Sequence, residues 1–218
     1  NDPQEREEVA QEAVRQGWGR DRLREEVRKR KAAKGRAGEN RPEPPLTAAP
    51  GKPGTYRVVA AEDGPYKKQL ALDLGFSSFF RPKKFGKFKP GEIVVLEKGK
   101  IKKNDKPGAG RDLFTYPAYV RHVIDGDTFY AMIDLGFGFT TIQKLRLRGL
   151  DAPEIETAEG REAKEFLATL LARSGPSPVL VRTEKSDKYD RYLADVWVDE
   201  TYVNQELLSH DLAVRVNE

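Results

Sequence analysis

Leu145-Arg146-Leu147-Arg148-Gly149-Leu150-Asp151-Ala152-Pro153-Glu154 reads as a strand that runs into a charged turn. Leucine alternates with arginine, so Leu145 and Leu147 face one side and Arg146 and Arg148 the other. Such a period builds a strand with one buried face. Glycine and proline then break the run, and Asp151 and Glu154 stand at the break. Upstream, Asp125-Gly126-Asp127-Thr128 puts further carboxylates in a tight turn. Downstream, Asp187-Lys188-Tyr189-Asp190-Arg191 adds another charged turn. Oxygen ligands suit a hard cation and guanidinium forks suit a phosphate, so the combination points to a site that holds one against the other.

The elements around these turns have a clear order. Ala118–Ile124, Thr128–Asp134 and Thr141–Leu150 read as strands. A helix follows from about Glu159 to Arg173, with Ala163, Phe166, Leu167, Leu170 and Leu171 on one stripe and Gly175 just beyond. Val179–Arg182 and Tyr192–Val198 are the next strands, and a short helix lies near Val203–His210. Strands separated in this way by one helix fit a five-stranded OB-fold β-barrel. The expected fold class is therefore mainly β with α: an OB-type barrel with helices over 114–218. Before it come a small β-rich segment over 55–113 and a Pro/Gly-rich linker over 35–54. An N-terminal, basic helical hairpin over 1–34 begins the chain.

The hairpin has a cap-like start at Asp2-Pro3-Gln4-Glu5 and a very basic end at Arg28-Lys29-Arg30-Lys31. Its apolar stripe is too thin to hold a core of its own. In the β-rich segment, Thr55–Ala61, Lys68–Leu74 and Glu92–Glu97 read as strands. Phenylalanines alternate with cations over 79–89, a pattern that suits base stacking or an exposed basic loop tucked onto a local core. The segment also echoes the barrel. Thr55-Tyr56 precedes Asp73-Leu74-Gly75-Phe76, and Thr115-Tyr116 precedes Asp134-Leu135-Gly136-Phe137. The natural reading is a degenerate repeat of one hairpin unit. Where the second copy has Asp125-Gly126-Asp127, the first has Gly64-Pro65-Tyr66-Lys67-Lys68.

Composition bounds the rest. The chain has 218 residues, of which 34% are charged, and its mean hydropathy is −0.70. Charge is uneven: residues 1–114 carry a net +10 and residues 115–218 a net −6. The first half thus supplies the long-range attraction for a polyanion. Without cysteine there is no disulfide and no thiolate metal site. No apolar run is long enough to span a bilayer, so no membrane partner is expected. A cytoplasmic protein is expected over a secreted one. His122 and His210 have no partner spacing, and Trp18 and Trp197 read as packing residues.

Taken together, the three turns resemble the staphylococcal nuclease-like, or thermonuclease, family over about 116–216. The resemblance implies an OB-fold phosphodiesterase that requires Ca²⁺ and acts on DNA or RNA. Asp127 and Asp151 would bind the cation through carboxylates and Ala152 through its carbonyl. Arg146, Glu154 and Arg191 would be catalytic: Glu154 as base, the arginines on the scissile phosphate. Lys188 and Tyr189 would position the nucleic acid, and Asp125 would support the metal site from behind. Ala152 stands where Thr is common in that family, and Asp190 where Gly is usual. Gly17-Trp18-Gly19-Arg20-Asp21-Arg22-Leu23 also resembles, over a short stretch, helices of ParB-type partition proteins. The rival reading is therefore a non-catalytic nucleic-acid-binding OB module in a plasmid- or chromosome-maintenance protein.

Overall fold

The structure, a computed structural model, describes residues 11–19, 22, 23, 26, 44–83, 85–186 and 192–216. The expected start at Asp2, most of the second basic helix, and Lys188, Tyr189, Asp190 and Arg191 lie outside the described residues.

Residues 11–16 are helical and stop at Gly17, whose φ of 63° turns the chain out of the helix. Residues 44–54, the second half of the Pro/Gly-rich stretch, lie along the barrel. Leu46 N–H donates to Gln205 Oε1 at 2.6 Å, and Arg215 donates to the Pro44 carbonyl.

Strands β1 (Thr55–Ala60), β2 (Leu70–Asp73), β3 (Phe79–Phe80), β4 (Ile93–Glu97) and β5 (Lys100–Lys103) form one antiparallel sheet in the order β3-β2-β1-β4-β5. β3 and β5 are short and were not legible as strands. A second sheet contains β6 (Thr115–Val123), β7 (Thr128–Gly136), β8 (Phe139–Leu147), β10 (Val179–Ser186), β11 (Tyr192–Val198) and the short β12 (Thr201–Tyr202). β10 pairs with both β6 and β11, and β11 runs parallel to β8, so five strands close into the expected OB-type barrel. Helix α1 (Ala158–Ala172) covers one end and α2 (Val203–Ser209) packs on β11; β9 (Leu150–Asp151) pairs with β13 (Val214–Arg215). The strand expected over Thr141–Leu150 is divided because Gly149, at φ +76°, bends the chain between β8 and β9.

The barrel core is the inward half of the alternation. Phe129, Ala131, Ile133, Leu145 and Leu147 are fully buried, and Leu167, Leu170 and Leu171 of α1 close over them. Burying a large side chain of this kind is worth about 1.5–3 kcal/mol.

The echo between the two tyrosine-bearing segments has a structural counterpart. Read across, β3-β2-β1-β4-β5 has the same neighbours and antiparallel pairings as β8-β7-β6-β10-β11. The first sheet stays open because β3 is two residues long, and a loop replaces α1 between β3 and β4. The two sheets grip each other reciprocally. Tyr56 Oη donates to the Leu135 carbonyl at 2.9 Å, and Tyr116 Oη donates to the Leu74 carbonyl, also at 2.9 Å. Phe137 lies on Tyr56 and Phe76 on Tyr116, with ring centroids 5.2 and 5.4 Å apart. Asp73 and Asp134 each accept the amide of the glycine two residues on, at 2.9 and 2.8 Å. Burial, with the Asp134 carboxylate near, pushes the Tyr56 hydroxyl up to about 12; burial and Asp73 raise that of Tyr116. Both hydroxyls are thus held as donors. Hydrophobic contacts run from one sheet to the other as a single core.

The phenylalanine–cation stretch divides. Phe80, Phe85 and Phe88 pack against that core, with Phe80 stacked 4.4 Å from Phe137. Phe79 remains exposed, and Arg81 lies 4.0 Å over the Tyr66 ring.

Candidate active site

The site forms where the β6–β7 turn meets the end of β8. Gly126 is required in that turn. A Cβ there would lie 2.6 Å from Ala163 Cβ and 2.7 Å from Ala152 Cβ, so the turn is pressed between α1 and the Asp151-Ala152 step. Asp125 Oδ1 accepts the Asp127 amide at 3.1 Å, which closes the turn and aims Asp127 inward.

Asp127 is only 3% exposed and is surrounded by donors. Thr128 Oγ1 donates to its Oδ1 at 2.7 Å, and Ala152 N–H to its Oδ2 at 3.1 Å. Arg146 spans it with a two-pronged contact, Nη1 to Oδ1 at 3.0 Å and Nη2 to Oδ2 at 2.9 Å. The same Nη2 reaches Asp151 Oδ1 at 2.5 Å. One guanidinium therefore ties together the two carboxylates expected to bind a cation.

Burial pushes the Asp127 carboxyl up to about 7, and Asp125 adds to the rise; Arg146 and the two hydrogen bonds pull the other way. Burial also disfavours the Arg146 charge, but Asp127 and Asp151 outweigh it and raise its pKa. The Asp151 side chain is 47% exposed, so the pair opens to solvent on that side.

Glu154 is exposed and sits just before α1. Its backbone is fixed there. Its carbonyl accepts from Thr157 N–H at 3.0 Å and from Thr157 Oγ1 at 2.8 Å. Thr157 caps the helix by taking the Gly160 amide at 2.9 Å. A Cβ on Gly160 would meet the Glu154 carbonyl oxygen at 1.9 Å, so only glycine allows this approach. The sequence reading missed the roles of Thr128, Thr157 and Gly160. A threonine before an apolar helical stripe with Glu159 in the first turn is a cap signal that could have exposed Thr157.

Arg146 in β8 and Arg148 just past its end part company. Arg146 goes to the site, whereas Arg148 pairs with Asp195 at 3.4 Å, which also accepts from Tyr202 Oη at 2.7 Å. Beside them the fully buried Asn204 donates to the carbonyls of Arg148 and Ala194 at 3.1 and 2.9 Å and accepts the Val196 amide at 3.0 Å. This network locks the end of β8 to β11. β11 begins in register with the site, Tyr192 opposite Leu145 and Leu193 opposite Arg146. Arg191 precedes Tyr192 in the sequence; it, Lys188 and Tyr189 lie outside the described residues. His122 is exposed beside Tyr130, and His210 lies against Phe166, both away from the carboxylates. Trp197 is buried, as expected.

Residues 144–218 match the family model described as staphylococcal nuclease homologue. This part of the chain is similar to that family. The match contains Arg146, Asp151, Ala152 and Glu154; Asp127 precedes it and is joined to it by the contacts above. Among curated proteins, the chain is similar to the probable staphylococcal-like nuclease CAN1 of Oryza sativa subsp. japonica, 36% identical over 70 residues, which are 32% of this chain and 20% of that protein. The probable staphylococcal-like nuclease CAN3 of the same plant is 28% identical over 67 residues, 31% of this chain and 17% of its own length. Protein ParB of Escherichia coli is 37% identical over 80 residues, 37% of this chain and 41% of ParB. That likeness spans more residues than the 34-residue basic segment holds. The chain spans less than half the length of each of these relatives.

Proposed function

We propose that the staphylococcal nuclease-like barrel is a Ca²⁺-dependent nuclease that hydrolyses phosphodiester bonds of DNA, with RNA as the second substrate class. The observation that carries this reading is Arg146 held between Asp127 and Asp151, a phosphate-binding fork within hydrogen-bond reach of two carboxylates.

The donors fit calcium. Asp127, Asp151 and the Ala152 carbonyl are all oxygen ligands. Among the described residues no group of three or more His, Cys, Asp or Glu is placed to hold a metal. Water would therefore fill several positions, which calcium tolerates better than most cations. Bound calcium would polarise the phosphoryl oxygens and bring a water close to phosphorus. On this reading Arg146 lets go of the carboxylates when they take the cation, and its fork turns to the phosphate, where bidentate geometry favours Arg over Lys. Glu154 takes the proton of the attacking water. Arg191 supplies a second guanidinium against the charge that builds in the transition state. Lys188 and Tyr189 position the strand. The P–O5′ bond breaks, leaving a 3′-phosphate and a 5′-hydroxyl.

The test is cleavage of single- and double-stranded DNA with calcium or with chelator, beside Glu154→Gln and Arg191→Ala. The parent is expected to cut only with calcium, and each variant to lose about 10²-fold or more in rate. Calcium-independent cutting, or cutting that survives both changes, would overturn the proposal.

The high Asp127 pKa adds a pH dependence. Below about 7 its carboxyl carries a proton that a cation must displace; above it the cation meets a carboxylate. Calcium affinity, read by isothermal titration calorimetry, is therefore expected to rise between pH 6 and 8, with protons released on binding at the lower pH. A flat profile would show that Asp127 is ionised throughout.

A second reading is favoured by the same contact. With both carboxylates already satisfied by Arg146, the barrel could serve as a binding module without chemistry, and the ParB likeness supports a maintenance role. Cleavage by the parent decides between them.

A further inference from the structure

The outer face of the barrel continues away from Arg146 as rows of paired side chains. On β7, and at the site end of β8 where Leu145 and Leu147 lie, the inward positions are buried and the outward ones alternate with them. Thr128 opposite Arg146 forms the row at the site. The next outward row is Lys144, Tyr130 and His122; the one after is Ile142, Met132 and Tyr119. On β6 a bulge between Val120 and His122 makes the step from His122 to Tyr119 three residues, whereas on β7 and β8 each row lies two residues further along, about 7 Å. That is close to the reach of one nucleotide in a stretched strand.

The chemistry of these rows is unusual for the outside of an acidic barrel. Residues 115–218 carry a net −6, yet neither row contains a carboxylate; the next acid outward is Asp134. Tyr130 lies against His122 with ring centroids 4.9 Å apart, and Lys144 Nζ stands 5.8 Å from the Tyr130 centroid. Beyond them Ile142 is 57% and Tyr119 40% exposed, in a protein whose other large apolar groups are mostly buried. A cation beside rings, followed by exposed aromatic and apolar surface, matches what an unpaired nucleic-acid strand offers: a phosphate, then base faces.

We propose that these two rows bind single-stranded nucleic acid as it leaves the site, Lys144 meeting a phosphate and His122 and Tyr119 stacking on successive bases. The occupant follows from continuity with Arg146, so the proposal rests on the nuclease reading for what lies at the row's end. Duplex bases are already stacked and cannot use the rings, so the face selects unpaired strands.

The test is equilibrium binding of fluorescein-labelled dT10, U10 and a ten-base-pair duplex to the full chain, by anisotropy, in chelator so that nothing is cut. Replacing His122 and Tyr119 together by alanine is expected to weaken dT10 binding about tenfold or more, the scale of one lost stack. Phenylalanine at both positions is expected to restore it, which separates stacking from misfolding. Lys144→Gln is expected to weaken dT10 and to flatten its salt dependence by about one ion. U10 is expected to follow dT10, since ring faces accept either sugar. Equal dT10 affinity in parent and double alanine variant would overturn the proposal, as would equal losses on the duplex or failure of phenylalanine to rescue. If the parent binds through these rings but cuts nothing with calcium, the nuclease reading fails and the track stands. If it cuts and the rings do not matter, the reverse holds.

Discussion

Replacing Arg146 with alanine is expected to destabilise the metal-free protein by about 3–5 kcal/mol at pH 8, and to slow cleavage about 10²-fold or more. The two losses have one origin. Asp127 is 3% exposed and Arg146 is its only ionic partner among the described residues. Taking the guanidinium away leaves a buried carboxylate with Thr128 and the Ala152 amide alone. The stability loss should shrink as pH falls. A carboxyl whose folded pKa lies above its unfolded value is tolerated as the acid below that pKa and becomes a liability as pH rises through it. With Asp127 already raised to about 7, the variant is expected to recover much of its stability by pH 5. Arg146→Lys separates the effects, because it restores a charge but not a fork; it should regain stability and remain slow. Urea melts at the two pH values and single-turnover kinetics read both. A fully stable alanine variant at pH 8 would mean that water already reaches Asp127.

The second large effect lies away from the site. Gly136→Val is expected to cost about 4 kcal/mol or more and to loosen the first sheet from the barrel. Gly136 has φ +82°, and a Cβ there would lie 2.0 Å from Tyr56 Oη. A β-branched residue pays for that backbone with about 1–3 kcal/mol of strain. It also expels the Tyr56 hydroxyl, which leaves the Leu135 carbonyl buried without its donor, a further cost of about 1–3 kcal/mol. Gly138 is the control. It too has positive φ, +79°, but a Cβ there would meet nothing within 4 Å, so Gly138→Ala should cost only about 1 kcal/mol. Tyr56→Phe isolates the hydrogen bond, and combined with Gly136→Val it should add little, since both break the same contact. Urea unfolding of the four variants checks this. Equal costs at Gly136 and Gly138 would show that backbone strain alone matters.

Much of the barrel was legible because its signals are local. The alternation at Leu145–Leu147 gives the faces of β8, and the stripe from Ala163 to Leu171 gives α1. What escaped depends on pairing at a distance. β3 and β5 are too short to show a period and exist because β2 and β4 offer them edges. The division of labour between Arg146 and Arg148 was invisible, since the sequence reads both as outward arginines of one strand; Asp195 and Tyr202, far along the chain, claim the second. The twin tyrosines were seen as an echo. That each reaches the other copy's leucine carbonyl, and not its own, requires the docked sheets. At the site, the turn sequences singled out Asp127, Asp151 and Arg146 as candidates, and their direct contact is a product of the fold.

The most direct measurement is the initial rate of single-stranded DNA cleavage as free calcium is raised from zero in chelator buffer, for the parent and for Asp151→Asn. The parent is expected to show no cutting without calcium and a saturable rise with it. Asp151→Asn should need at least about tenfold more calcium for half its maximal rate, since even residues that only support a metal ligand carry effects of that size. A parent rate indifferent to calcium, or an Asp151→Asn curve that overlays the parent's, would contradict the account.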